Sequence, residues 1–171
     1  MSERPARTNN AFTHLDADGC ARMVDVGRKR ATSRMATAEA WVDVGPAIAR
    51  ILRDRGALRK GNVLETARLA GMMAAKKTAD LVPLCHPLPL DVIELEGILA
   101  GSKVRLTATV KTHATTGVEM EAMIAVTIAA ITVYDMVKSE EKAVQIGPIR
   151  LLEKRGGKSG HWKRGPQNGM R

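Results

Sequence analysis

The chain has 171 residues and a formal net charge of +9, and while 44% of it is hydrophobic only 2% is aromatic. That length suits one domain with a single core. Two cysteines are too few for a disulfide framework, the N-terminal MSERPARTNN lacks the apolar stretch of a secretory signal, and no apolar run approaches the roughly 20 residues of a membrane span. The chain therefore reads as cytoplasmic with free thiols, its interior filled by Ala, Leu, Ile, Val and nine Met.

In chain order, residues 1–13 are polar and without period, and are expected to be a disordered arm. Residues 36–44 alternate, with Ala40, Val42 and Val44 on one face of a strand. Pro46 suits a first helical turn and Gly56 a helix stop, which predicts a helix over 46–55. Asn62 followed by Glu65 is a capping-box-like start for a helix over 63–78, with Leu64, Ala67, Gly71, Ala74 and Ala75 forming a small-residue face. Pro83, Pro87 and Pro89 forbid a helix through LVPLCHPLPL and stiffen Cys85–His86 in an extended loop. Two strands over 91–99 and 103–112 follow, joined at Gly101–Ser102, then a helix over 118–139 and a strand over 149–153. This order fits an α+β, ferredoxin-like split βαβ sandwich: an antiparallel sheet with helices on one face and one added helix. One catalytic domain is expected over 14–160 and a basic flexible tail over 161–171.

The long helix is the most informative element. Ile124, Ile128, Ile131, Asp135 and Lys138 share one stripe, and no charge interrupts residues 122–134. The expectation is a buried stripe that ends in a carboxylate and an ammonium, an acid/base pair at a cleft floor, rather than a surface ion pair at a helix end. Glu119 and Glu121 stand in the first turn. There they either complement the helix dipole or grip amino groups of a heterocycle. The positive charge fits either nucleic acid or a polyphosphate, and the scarcity of aromatic stacking platforms weakens the first. GGKSG at 156–160 is not a phosphate loop, since Leu152 occupies the position of the first glycine. The four histidines and two cysteines show no paired metal-ligand spacing, and no nucleophile elbow is present.

Five segments in unbroken order resemble one family: MVDV (23–26), KGNVLETARLAGMMAAKKTADLVPLCHPL (60–88), TGVEMEAM (116–123), TVYDMVK (132–138) and GPIRLLEKRGGKSG (147–160). They are similar to the cyclic pyranopterin monophosphate synthases, the C proteins of molybdenum cofactor biosynthesis. The resemblance implies a lyase that converts 3′,8-cyclo-7,8-dihydro-GTP to cyclic pyranopterin monophosphate and diphosphate. It implies Asp135 and Lys138 as the catalytic pair. Leu84, Cys85, His86, Met120, Glu121 and Glu119 are implied at the substrate, with Arg34, Lys60, Lys76 and Lys154 as the matched basic positions. It also implies a homohexamer, a trimer of dimers with sites at dimer interfaces. No cofactor, nucleic acid or membrane is expected as a partner; Mg²⁺ is compatible with a triphosphate but has no ligand motif.

Overall fold

The computed structural model describes residues 18–165. The expected arm over 1–13 and the end of the tail lie outside the described residues. Strand β1 (Thr32–Asp43) leads to helices α1 (Gly45–Arg55), α2 (Val63–Ala75) and the single turn α3 (Thr78–Leu81). The hairpin β2 (Val92–Ala100) and β3 (Lys103–Ala114), helix α4 (Glu119–Val137), β4 (Gln145–Arg155) and the short β5 (His161–Lys163) complete the order. The sheet runs β2-β3-β1-β4-β5, every neighbour antiparallel. Its first four strands give the ferredoxin-like arrangement expected from the sequence.

Alternation decides which strand face meets the helices. Ala36, Ala38, Ala40 and Val42 of β1 and Val104, Leu106, Ala108 and Val110 of β3 are buried, while Arg105, Thr107 and Thr109 face away. Against this floor α4 lays Ala122, Ala125, Val126, Ala129, Ala130 and Val133. Small side chains on both surfaces let the helix sit close to the sheet. On the opposite face Glu39 is buried between Arg105 and Arg150, at 2.8 and 2.6 Å. Burial alone would raise its pKa, but the bonds from Arg150 and Arg105 outweigh that and hold it below the ordinary carboxylate range.

Local signals set the helix ends. The Asn62 side chain accepts from the Glu65 N–H at 3.0 Å, so the expected cap is formed. Its reciprocal half is not, because Glu65 instead holds Arg68 at 2.6 Å. Gly56 ends α1 in the left-handed region, φ 65°, and donates to the Leu52 carbonyl. The helix expected over 63–78 stops at Ala75 and resumes as α3, and the proline segment beyond it carries no helix.

Gly71 lies where α2 crosses α4. A methyl group there would stand 2.6 Å from the Ala125 carbonyl oxygen and 2.4 Å from Leu95 Cδ1. The small-residue face of α2 is therefore a close helix–helix contact, and α2 runs antiparallel to α4. Helix α4 is long and apolar enough to span a membrane by length and composition, contrary to the expectation from the sequence, yet half of that stretch is buried inside the fold. The segment read as a flexible tail begins with β5, which pairs with β4 from Glu153 to Arg155.

Candidate active site

One end of α4 carries the expected acid/base pair. Lys138 Nζ lies 2.6 Å from Asp135 Oδ1, and Lys60 Nζ approaches Asp135 Oδ2 at 3.5 Å. Lys60 also donates to the Asp135 main-chain oxygen at 2.7 Å, which ties the loop before α2 to the last turn of α4. Lys138 above all, with Lys60, holds the Asp135 carboxyl below its ordinary pKa, and the bond to Asp135 raises that of Lys138. Asp135 rests ionised between two ammonium groups.

The burial expected of this stripe is corrected by the structure. Asp135 and Lys138 are 57% and 51% exposed, and Ile131 on the same stripe is 48% exposed. The buried side of α4 is the alanine and valine side, which lies on the sheet and on α2. An uncharged run marks the helix as apolar all round, and periodicity alone then assigns the longer isoleucines to the core. On a floor of alanines the smaller residues pack inward instead.

The other end of α4 gathers a second group. Lys154 of β4 donates to Glu119 at 2.9 Å. Glu121 is 4% exposed, and burial followed by the Glu119 charge pushes its pKa up. Cys85 lies close enough to Glu121 to respond to its charge, and burial first and then Glu121 raise the thiol pKa. The extended loop that carries Cys85 is fixed in place by His86, whose Nε2 meets the Val24 carbonyl at 2.9 Å. This contact joins MVDV to LCHPL, two segments 62 positions apart. Leu84 is half-buried in the same loop, Met120 is 41% exposed beside Glu121, and Lys76 is exposed at the C-cap of α2. Because α2 is antiparallel to α4, Lys76 lies toward this end as well.

A cavity of about 970 Å³ opens here, with Arg34, Glu119 and Lys154 among its lining residues. Arg34 donates to the carbonyls of Ala114 and Thr115 at 3.4 and 3.3 Å. Its guanidinium lies so close to Gly157 that a methyl group there would stand 1.7 Å from a terminal guanidinium nitrogen. Gly157 also has φ +70°, so conformation and space both call for glycine. Sequence reading missed this glycine seat under Arg34. The adjacent glycines of GGKSG were its only signal.

The candidate residues thus fall into two groups at opposite ends of one helix. From Glu119 to Asp135 is sixteen residues of α4, about 24 Å at the helical rise. Among the described residues no group of three or more His, Cys, Asp or Glu is placed to hold a metal ion.

Comparison with known proteins gives a concordant result. The MoaC family profile matches residues 23–157. A cyclic pyranopterin monophosphate synthase of Streptomyces griseus subsp. griseus is 51% identical over 157 residues, which is 92% of this chain and 88% of that protein.

Proposed function

Since the chain belongs to the MoaC family, we propose that it is a cyclic pyranopterin monophosphate synthase, a lyase of molybdenum cofactor biosynthesis. Its substrate is 3′,8-cyclo-7,8-dihydro-GTP and its products are cyclic pyranopterin monophosphate and diphosphate. The observation that carries the reading is the presence of an acid/base cluster, Asp135 with Lys138 and Lys60, together with a basic cavity lined by Glu119, two positions from the buried carboxyl of Glu121. Ring opening and pyranopterin closure need proton transfers at carbon and nitrogen. Closing the cyclic phosphate needs the triphosphate held while diphosphate leaves.

In this assignment Asp135 is the base and Lys138 the acid. Lys60 keeps the carboxylate ionised and oriented. Lys154 and Arg34 take phosphate oxygens through charge-assisted bonds. Glu121, whose carboxyl burial pushes above the ordinary carboxylate range, faces the heterocycle, and Glu119, Met120, Leu84, Cys85 and His86 shape that end, while Lys76 adds positive charge. Cys85 is a free thiol, which suits a reducing cytoplasm.

Two groups about 24 Å apart cannot touch one reacting centre. The reading therefore requires a second copy, with two α4 helices antiparallel across a two-fold axis. The Glu119 end of one protomer then meets the Asp135 end of the other. What supports this is the exposed apolar surface between the two groups: Met120 and Ile131 on α4, and Leu69 and Met73 on α2. Three such dimers would make the hexamer implied by the resemblance. The reading is tested by incubating the purified protein with 3′,8-cyclo-7,8-dihydro-GTP and following cyclic pyranopterin monophosphate and diphosphate together. Formation of both in equal amounts is expected. Substrate left unchanged by a folded protein would overturn the assignment.

A further inference from the structure

The cavity holds more positive charge than the assigned residues use. Seven cations line it, against only Asp25 and Glu119. Lys154 is bonded to Glu119, Arg155 to Glu153 and Arg34 to two main-chain carbonyls. The side chains of Arg28, Lys29, Arg30 and Lys158 have no ion pair or hydrogen bond among the described residues. Unpaired like charges around one concave space repel one another and concentrate a positive potential there, an arrangement that an arriving polyanion relieves.

Two backbone features set these cations on the wall. The turn at residues 27–29 is closed by the Lys29 N–H on the Val26 carbonyl, and the Gly27 N–H donates to Asp25 at 2.8 Å. The loop between β4 and β5 is closed by the Gly156 N–H on Gly160 and the Gly160 N–H on Gly157. Gly156 packs on the start of β1, where a methyl group would stand 2.2 Å from the Ser33 carbonyl oxygen. The loop is thereby seated against the strand that carries Arg34, and it brings Lys158 to the cavity wall that residues 28–30 also line.

We propose that Arg28, Arg30 and Lys158 form an outer rim that engages the terminal phosphates of a triphosphate, the portion that leaves as diphosphate, while Arg34 and Lys154 serve the phosphate nearer the nucleoside. The rim selects a triphosphate over a monophosphate. It rests on the triphosphate reading of the cavity, and the test separates the two. A full-length variant carrying Arg28→Ala, Arg30→Ala and Lys158→Ala is compared with the wild type in calorimetric titrations with inorganic tripolyphosphate and with inorganic monophosphate at low salt. The variant is expected to lose about tenfold or more in tripolyphosphate affinity, with monophosphate affinity changed by less than about twofold. The loss should shrink as salt rises, because screening already weakens the wild type.

Thermal melting of the variant within a degree or two of wild type establishes that the exposed substitutions left the fold intact. A variant that melts earlier is replaced by the charge-reversing single substitution Lys158→Glu, which is expected to give the same selective loss. Equal tripolyphosphate affinity in wild type and variant would overturn the rim and leave the assigned reaction standing. No binding of tripolyphosphate by the wild type would overturn the triphosphate reading of the cavity and the rim with it. Tighter binding of a single-stranded RNA oligonucleotide than of tripolyphosphate, lost in the variant, would make this a nucleic-acid surface and also overturn the rim.

Discussion

Substituting Gly71 by alanine tests the packing that sets the helix layer. Alanine gains up to about 1 kcal/mol over glycine in a helix interior. Against that, its methyl would lie 2.4 Å from Leu95 Cδ1, 2.6 Å from the Ala125 carbonyl oxygen and 3.2 Å from Ala129 Cβ. The leucine tip can rotate away, but the carbonyl belongs to the α4 backbone and moves only with the helix. Overpacking costs about 1–3 kcal/mol, and contact with a backbone oxygen puts this site in the upper part of that range, so the net expectation is a loss of about 1–2 kcal/mol. For a chain of this size that is a fall in Tm of roughly 2–8 °C. Gly97→Ala is the comparison: its methyl would meet the movable ends of Leu106 and Leu64 at 3.1 and 3.5 Å, so it should cost less. Urea unfolding and thermal melting of both variants provide the assay. A Gly71→Ala protein as stable as wild type would mean that α2 and α4 are not held at the separation described. Because Lys60 precedes α2 and Asp135 ends α4, the same shift should also lower turnover.

Other expectations concern single groups. Glu121 has a folded-state pKa raised above the ordinary carboxylate range, so the folded protein holds that proton more tightly than the unfolded chain and loses stability as pH rises through the raised value. Glu121→Gln should therefore gain stability relative to wild type between pH 4.5 and pH 8 in urea titrations, and an advantage that shrank toward pH 8 would contradict the burial of a titrating carboxyl. Asn62→Ala removes the cap of α2 and should cost about 1 kcal/mol; an unchanged urea midpoint would show that the bond to Glu65 contributes nothing. Asp135→Asn, at an exposed position, should leave the melting temperature nearly unchanged while turnover is lost, and near-normal turnover would put the base elsewhere.

Much of the fold was legible because its signals are local. Alternation along Val104 to Val110 and the Gly101 turn specified the β2–β3 hairpin, and Asn62 with Glu65 and Gly56 marked helix ends that the structure reproduces. β5 was not legible, since three exposed residues carry no periodic signal and their order comes from pairing with β4. Nor was the facing of α4: with apolar side chains on every side, periodicity could not separate the alanines that meet the sheet from the isoleucines that do not. The motif order brought the candidate residues to two ends of one helix. Their separation is invisible in a linear sequence, because it follows from the rise of α4 and the antiparallel placement of α2.

Subunit complementation tests the central claim, that each site is shared between two protomers. Asp135→Asn alters one end of α4, and Lys154→Ala alters the cavity at the other. Each variant alone should be inactive. Co-assembled in equal amounts, random pairing makes half the dimers mixed, and each mixed dimer has one of its two sites built wholly from native residues, so about a quarter of wild-type activity should return. Activity that stays at the level of the separate variants, in protein shown by differential tagging to contain mixed dimers, would contradict a shared site.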